Sequence, residues 1–144
     1  MEMIDPKADC EELMNRVVPF AQQMLTTYGE FFPFGATMRP DREIALAAGY
    51  DGVERPPSED VIRSIKRGYT QAAREGLLVA TALVCDIRIQ LPSANEKTDA
   101  IAVSLNHRDN YSIIVIFPYK IENGKLILGS ALAQKGEADI FPSR

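Results

Sequence analysis

Tyr28-Gly29-Glu30-Phe31-Phe32-Pro33-Phe34-Gly35-Ala36 is the stretch on which the fold turns. Three of the chain's six phenylalanines lie in it. Gly29 can take the left-handed conformation that stops a helix, and Pro33 cannot continue one. Upstream the pattern is helical; downstream it is mostly strands. The stretch therefore reads as the joint between a first helix and a sheet.

Working back from the joint, Leu13, Val17, Ala21, Met24, Leu25 and Tyr28 recur at three- and four-residue steps and predict one apolar helix face. Asp9 reads as the N-cap, with Glu11 and Glu12 in the first turn where the helix dipole favours acids. Residues 1–8 read as a loose lead-in. Pro19 predicts a kink or a late start, because it removes a hydrogen bond and crowds the preceding turn.

Working forward, Phe34–Met38 and Glu43–Ala48 read as a hairpin across the turn Arg39-Pro40-Asp41-Arg42. Tyr50 to Pro57 reads as a loop. Ser58 opens a second helix as N-cap, with Val61, Ile65, Tyr69, Ala72 and Ala73 on its apolar side and Gly76 at its end. Gly68 lowers helix propensity by about 1 kcal/mol relative to alanine and reads as a point of close packing. The longest strand signal follows. Val79, Thr81, Leu83, Cys85, Ile87, Ile89 and Leu91 share one face, while the other changes from Leu78, Ala80, Ala82 and Val84 to Asp86, Arg88 and Gln90. Its first half should be covered on both faces and its second half on one. Ile101, Val103 and Leu105 mark the next strand, His107-Arg108-Asp109-Asn110 a turn, and Tyr111 to Ile121 another strand. Asn123-Gly124 then predicts a type I′ hairpin with Leu126–Ala131. The remainder, residues 133–144, reads as a loosely docked tail.

The resulting expectation is one α+β domain spanning residues 1–144. It has two helices and a single antiparallel sheet of five to six strands, in the order α-β-β-α-β-β-β-β, with the helices on one face or one end. That order resembles the profilin-like and roadblock-like arrangement. A second resemblance rests on the joint at 28–36, Asp41, Thr98-Asp99-Ala100-Ile101 and His107-Arg108-Asp109. These segments resemble a group of small bacterial proteins with similar joints among immunity-type proteins that accompany toxins. That resemblance implies a binding role and no catalytic residue.

The totals narrow the function classes. The 144 residues carry a net charge of −4 with 46% hydrophobic and 25% charged residues, ordinary for a globular domain. The acidic balance argues against a nucleic-acid partner, where a basic footprint is expected. No apolar run reaches the roughly 18 residues of a membrane span, and the first residues lack a signal-peptide pattern. With Cys10 and Cys85 read as free thiols, a cytoplasmic setting is expected.

Candidate chemistry is sparse. His107 is the only histidine and sits in a polar turn, so it reads as an exposed turn residue. Ser104 points to the opposite strand face and makes a poor nucleophile partner. One histidine and two distant cysteines do not supply a metal's usual three or four ligands. No phosphate loop or dinucleotide fingerprint is present, so no cofactor is expected. Asp86 reads as part of a solvated face. Phe32 and Phe34 should pack into the core, with Phe31 on the other side as a candidate exposed anchor. The expected function is a non-enzymatic binding protein acting on a protein partner, with Glu30, Phe31, Tyr50, Arg88, His107, Arg108 and Tyr119 as candidate binding residues. Two alternatives stand beside it. One is a small-molecule binder or enzyme with a pocket between helices and sheet; the other is a homodimeric scaffold.

Overall fold

The computed structural model describes residues 5–48, 58–91 and 96–142. They form helix α1 (Pro6–Tyr28), strands β1 (Phe34–Met38) and β2 (Ile44–Ala48), helix α2 (Ser58–Arg74), and strands β3 (Ala80–Gln90), β4 (Lys97–His107), β5 (Tyr111–Glu122), β6 (Lys125–Leu128) and β7 (Leu132–Lys135). All seven strands belong to one antiparallel sheet of order β2-β1-β3-β4-β5-β6, with β7 also paired to β5. The α+β class and the element order agree with the sequence reading; the strand count exceeds it by β7.

Helix α1 begins earlier than its pattern suggested. Asp5, not Asp9, is the N-cap, its carboxylate accepting from the Ala8 N–H, and Pro6 occupies the first turn, where its missing N–H costs nothing. The helix runs through Pro19, which lies on its exposed side, and ends at Gly29 with φ 77°. Cys10, Leu13, Val17, Ala21 and Leu25 form its fully buried stripe, whereas Tyr28 is exposed. They pack on Ala80, Ala82 and Val84 of β3 and on Ile101, Val103 and Leu105 of β4. Each large aliphatic buried this way stabilises the fold by about 1.5–3 kcal/mol.

The two helices lie on opposite faces of the sheet, not on one. Val61, Ile65, Tyr69 and Ala73 of α2 cluster with Leu83, Ala47 and Cys85. Leu83 alternates with the β3 residues under α1, so it points the other way. The two-sided apolar first half of β3 had pointed to this arrangement, and its burial follows that pattern.

Two further differences have local causes. Alternation fails at the joint because residues 30–33 are not strand. Phe31 is therefore buried edge-on against Phe34, with ring centroids 5.6 Å apart, and Phe32 is 45% exposed. Phe31→Ala is expected to lower stability by about 3 kcal/mol and Phe32→Ala by less than about 0.5 kcal/mol, as read by urea melts of the two variants. At the other end, Asn123 and Gly124 both have positive φ, as a type I′ turn requires. The strand after them stops at Leu128, and the Gly129 N–H bonds back to the Pro118 carbonyl. Residues 132–135 then pair with Ile113–Ile116 as β7. The tail is anchored as well: Ile140 is buried among α2 side chains, and Lys66 pairs with Asp139 at 2.7 Å.

Candidate functional site

The candidate residues read from sequence do not converge. Glu30, Arg88 and Tyr119 lie toward one end of the long strands, and His107 and Arg108 at the other. Asp99, the register partner of Arg88 and Tyr119, and His107 stand eight residue steps apart on β4, about 26 Å at 3.3 Å per residue. Tyr50 lies outside the described residues.

At the first end, the Tyr119 hydroxyl donates to Asp86 Oδ1 at 2.7 Å, and Arg88 faces Asp99 at 3.6 Å on the surface. Tyr119 is buried and Asp86 half-buried, so neither belongs to a plain solvated face. Burial pushes the Asp86 carboxyl above its ordinary value; the bond from Tyr119 opposes this, and Asp99 and Glu30 add to the rise. The folded carboxyl thus holds its proton more tightly than the unfolded one. Its contribution favours the native state at low pH and is lost as pH rises through the folded pKa. Asp86→Asn keeps an acceptor for Tyr119, so its melting temperature at pH 7 should equal or exceed that of the parent protein.

At the other end, His107 is 3% exposed rather than sitting in water. Its Nε2 lies 2.8 Å from Asp9 Oδ2, while the Asp109 backbone N–H donates to Nδ1 at 3.1 Å. A backbone amide can only donate, so Nδ1 accepts and the proton sits on Nε2, which donates to Asp9. Arg42 from the β1–β2 turn binds the other oxygen of Asp9. Both ring nitrogens are thus engaged, and the cluster ties α1, the hairpin and the β4–β5 turn together. Arg108 is positioned there by its own backbone N–H, which bonds to the Val79 carbonyl. Burial pushes the Cys10 thiol up to about 12 and the Cys85 thiol up to about 11, so neither forms the thiolate a nucleophile needs at neutral pH. Among the described residues, no group of three or more His, Cys, Asp and Glu side chains is placed to hold a metal ion. No described helix is long and apolar enough to cross a membrane.

A larger open space lies away from the clefts of about 210 Å³ beside His107 and about 330 Å³ beside Arg88 and Tyr119. Between α2 and the β1–β2 hairpin runs a groove of about 690 Å³. It exists because side chains are missing. Ala45 and Ala47 form one side of it, and Ser64, Gly68 and Ala72, spaced four apart on α2, form the other. Immediately beside them runs the buried stripe Val61, Ile65, Tyr69 and Ala73, which fixes the helix on the sheet. Gly68 was expected to mark close packing; a Cβ there would meet nothing within 4 Å. Arg39 and Asp41 stand at the turn end of the groove.

The edge beside the groove is unusual. β2 is the last strand of the sheet, and among the described residues only β1 pairs with it. Its sequence, Ile44-Ala45-Leu46-Ala47-Ala48, has no charge and no proline, the devices that normally guard an open edge. Leu46 is 57% exposed. The β6 and β7 strands at the other edge carry Lys125 and Lys135.

The described residues thus define an α+β fold with one seven-stranded antiparallel sheet, a helix on each face and an apolar edge groove. No family model matches the chain, and no curated protein or solved structure matches it at a significant level.

Proposed function

We propose that the protein is a non-enzymatic binding module that engages a partner protein at the α2–β2 groove. One observation carries this reading: an uncharged edge strand, paired only with β1 among the described residues, lies beside a groove of about 690 Å³ walled by small side chains. Natural sheets avoid such edges because they recruit other chains, so an edge left this way is explained by a use. The state of the reactive groups supports the non-enzymatic part. His107 has both nitrogens occupied, both thiols are held protonated, and Tyr119 is bonded to Asp86. An immunity-type role would make the partner a toxin-like protein. A second reading has support from the groove's size, which falls within the roughly 300–1,000 Å³ of small-molecule sites.

The test is affinity capture by the tagged protein from its host, with native mass spectrometry, run beside Leu46→Lys. That substitution adds a charge at an exposed edge position and leaves the core untouched. A stoichiometric protein partner captured by the parent and lost by Leu46→Lys is the expected result. A bound small molecule, or a partner indifferent to Leu46→Lys, would contradict the reading.

A further inference from the structure

Resting on that groove reading, we infer that the partner enters as an extended strand, antiparallel to β2, with apolar side chains facing the groove and an acidic side chain following at Arg39.

The backbone supplies the first argument. The hairpin register pairs Thr37 with Ala45 and Gly35 with Ala47, and the next pair outward, Arg39 and Glu43, is joined by Arg39 N–H to the Glu43 carbonyl at 2.9 Å. Bonded and non-bonded pairs alternate along an antiparallel ladder. The Ala45 and Ala47 backbone groups therefore face β1, and those of Ile44 and Leu46 face outward. An added strand finds its donors and acceptors at Ile44 and Leu46, the pattern of strand addition to an open edge.

Side-chain alternation supplies the second. A strand on this edge sends every second side chain to the face of Ala45 and Ala47, where α2 stands over the groove. The opposite face offers Leu46, still 57% exposed, so the intervening residues of the partner are large and apolar.

Charge supplies the third. The strand edge and the facing residues Ser64, Gly68 and Ala72 are uncharged, so an ionised side chain within the run would lose its hydration without gaining a partner. At the turn end, Arg39 makes no ion pair among the described residues, whereas Asp41 Oδ1 already accepts from the Glu43 N–H. The adjoining end of α2 has spent its carbonyls: Gly76 N–H bonds to Ala73 and Leu77 N–H to Ala72. A strand antiparallel to β2 ends beside this turn, so its acidic residue follows the apolar run.

The test uses a phage-displayed random dodecapeptide library panned on the intact protein, with selected peptides resynthesised and capped at both ends. The expected sequences are apolar and uncharged along the run and end in Asp or Glu. N-methylation of every second peptide amide should weaken binding about ten-fold, the scale of one lost hydrogen bond, and methylation of the amides between should not. Hydrogen exchange should show new protection at the Ile44 and Leu46 amides, and Arg39→Glu should remove the acidic preference. Leu46→Pro deletes an outward N–H, so it should fold and fail to bind, whereas Ala47→Pro deletes a bond to β1 and should destabilise the hairpin. Peptides that Gly68→Leu displaces, but that show no N-methyl alternation and no protection at Ile44 and Leu46, would overturn the strand mode and leave the groove reading standing. Peptides indifferent to Gly68→Leu would overturn both. A dimer joined β2 to β2 and split by Leu46→Lys would assign the edge to a second copy, and would also overturn the inference.

Discussion

Gly35→Ala is expected to lower stability by more than about 3 kcal/mol, at the upper end of what overpacking a core costs. Gly35 lies in β1 beneath α2, where the Tyr69 hydroxyl donates to the Ala82 carbonyl at 2.8 Å. A Cβ on residue 35 would overlap both of those oxygens. One belongs to a side chain that could swing away; the other is backbone of the central strand β3. The double variant Gly35→Ala/Tyr69→Phe should therefore recover little. A fall in melting temperature of roughly 10 °C or more is expected for a chain of this size. Circular-dichroism melts of both variants check it, and a Gly35→Ala protein melting within about 2 °C of the parent would mean β1 does not lie against the Ala82 carbonyl of β3 as described.

Asp9→Ala carries the second large effect. Asp9 is 3% exposed and accepts from both His107 Nε2 and Arg42. Removing it leaves a buried imidazole N–H without an acceptor and Arg42 without its anion. Breaking a buried charged pair from one side typically costs about 3–5 kcal/mol; because Arg42 is partly exposed, about 3 kcal/mol is expected here. Asp9→Asn keeps one acceptor and should lose less. Urea titrations should show the midpoint falling with the slope unchanged, which marks a loss of native-state stability rather than a changed unfolded state.

These two residues also show what the sequence could and could not convey. The helices and the first six strands are local patterns of period 3.6 and 2, and they were legible as such. Gly29 stopped its helix and Asn123-Gly124 made its turn because those conformations are chosen by the residues themselves. Asp9 and His107 were misread because their burial is non-local. An acid at the start of an apolar run looks like a cap, a histidine in a polar turn looks solvated, and the two are 98 positions apart. β7 was missed because Leu132–Lys135 is short and exposed along its whole length, with no alternation to detect.

The groove was hidden for a different reason: it is made of absent side chains. Ala45 and Ala47 read only as part of a hairpin strand, and Gly68 as a packing point. The available signal was the four-residue spacing of Ser64, Gly68 and Ala72 beside the apolar stripe of α2. It becomes a groove only when the facing strand is also small. Of the residues proposed from sequence, Phe31, His107 and Tyr119 turned out to hold the fold together. Glu30 and Arg88 are exposed and lie toward the far end of the long strands from His107 and Arg108.

Gly68→Leu separates folding from binding, because a Cβ at 68 meets only open space and leucine favours helix over glycine by roughly 0.8 kcal/mol. The decisive measurement is the calorimetric Kd of the captured partner for the parent protein and for Gly68→Leu. An affinity at least about ten-fold weaker, or 1.4 kcal/mol, with an unchanged or higher melting temperature, is the predicted result. Equal Kd values for the two proteins would contradict the assignment of the α2–β2 groove as the working surface.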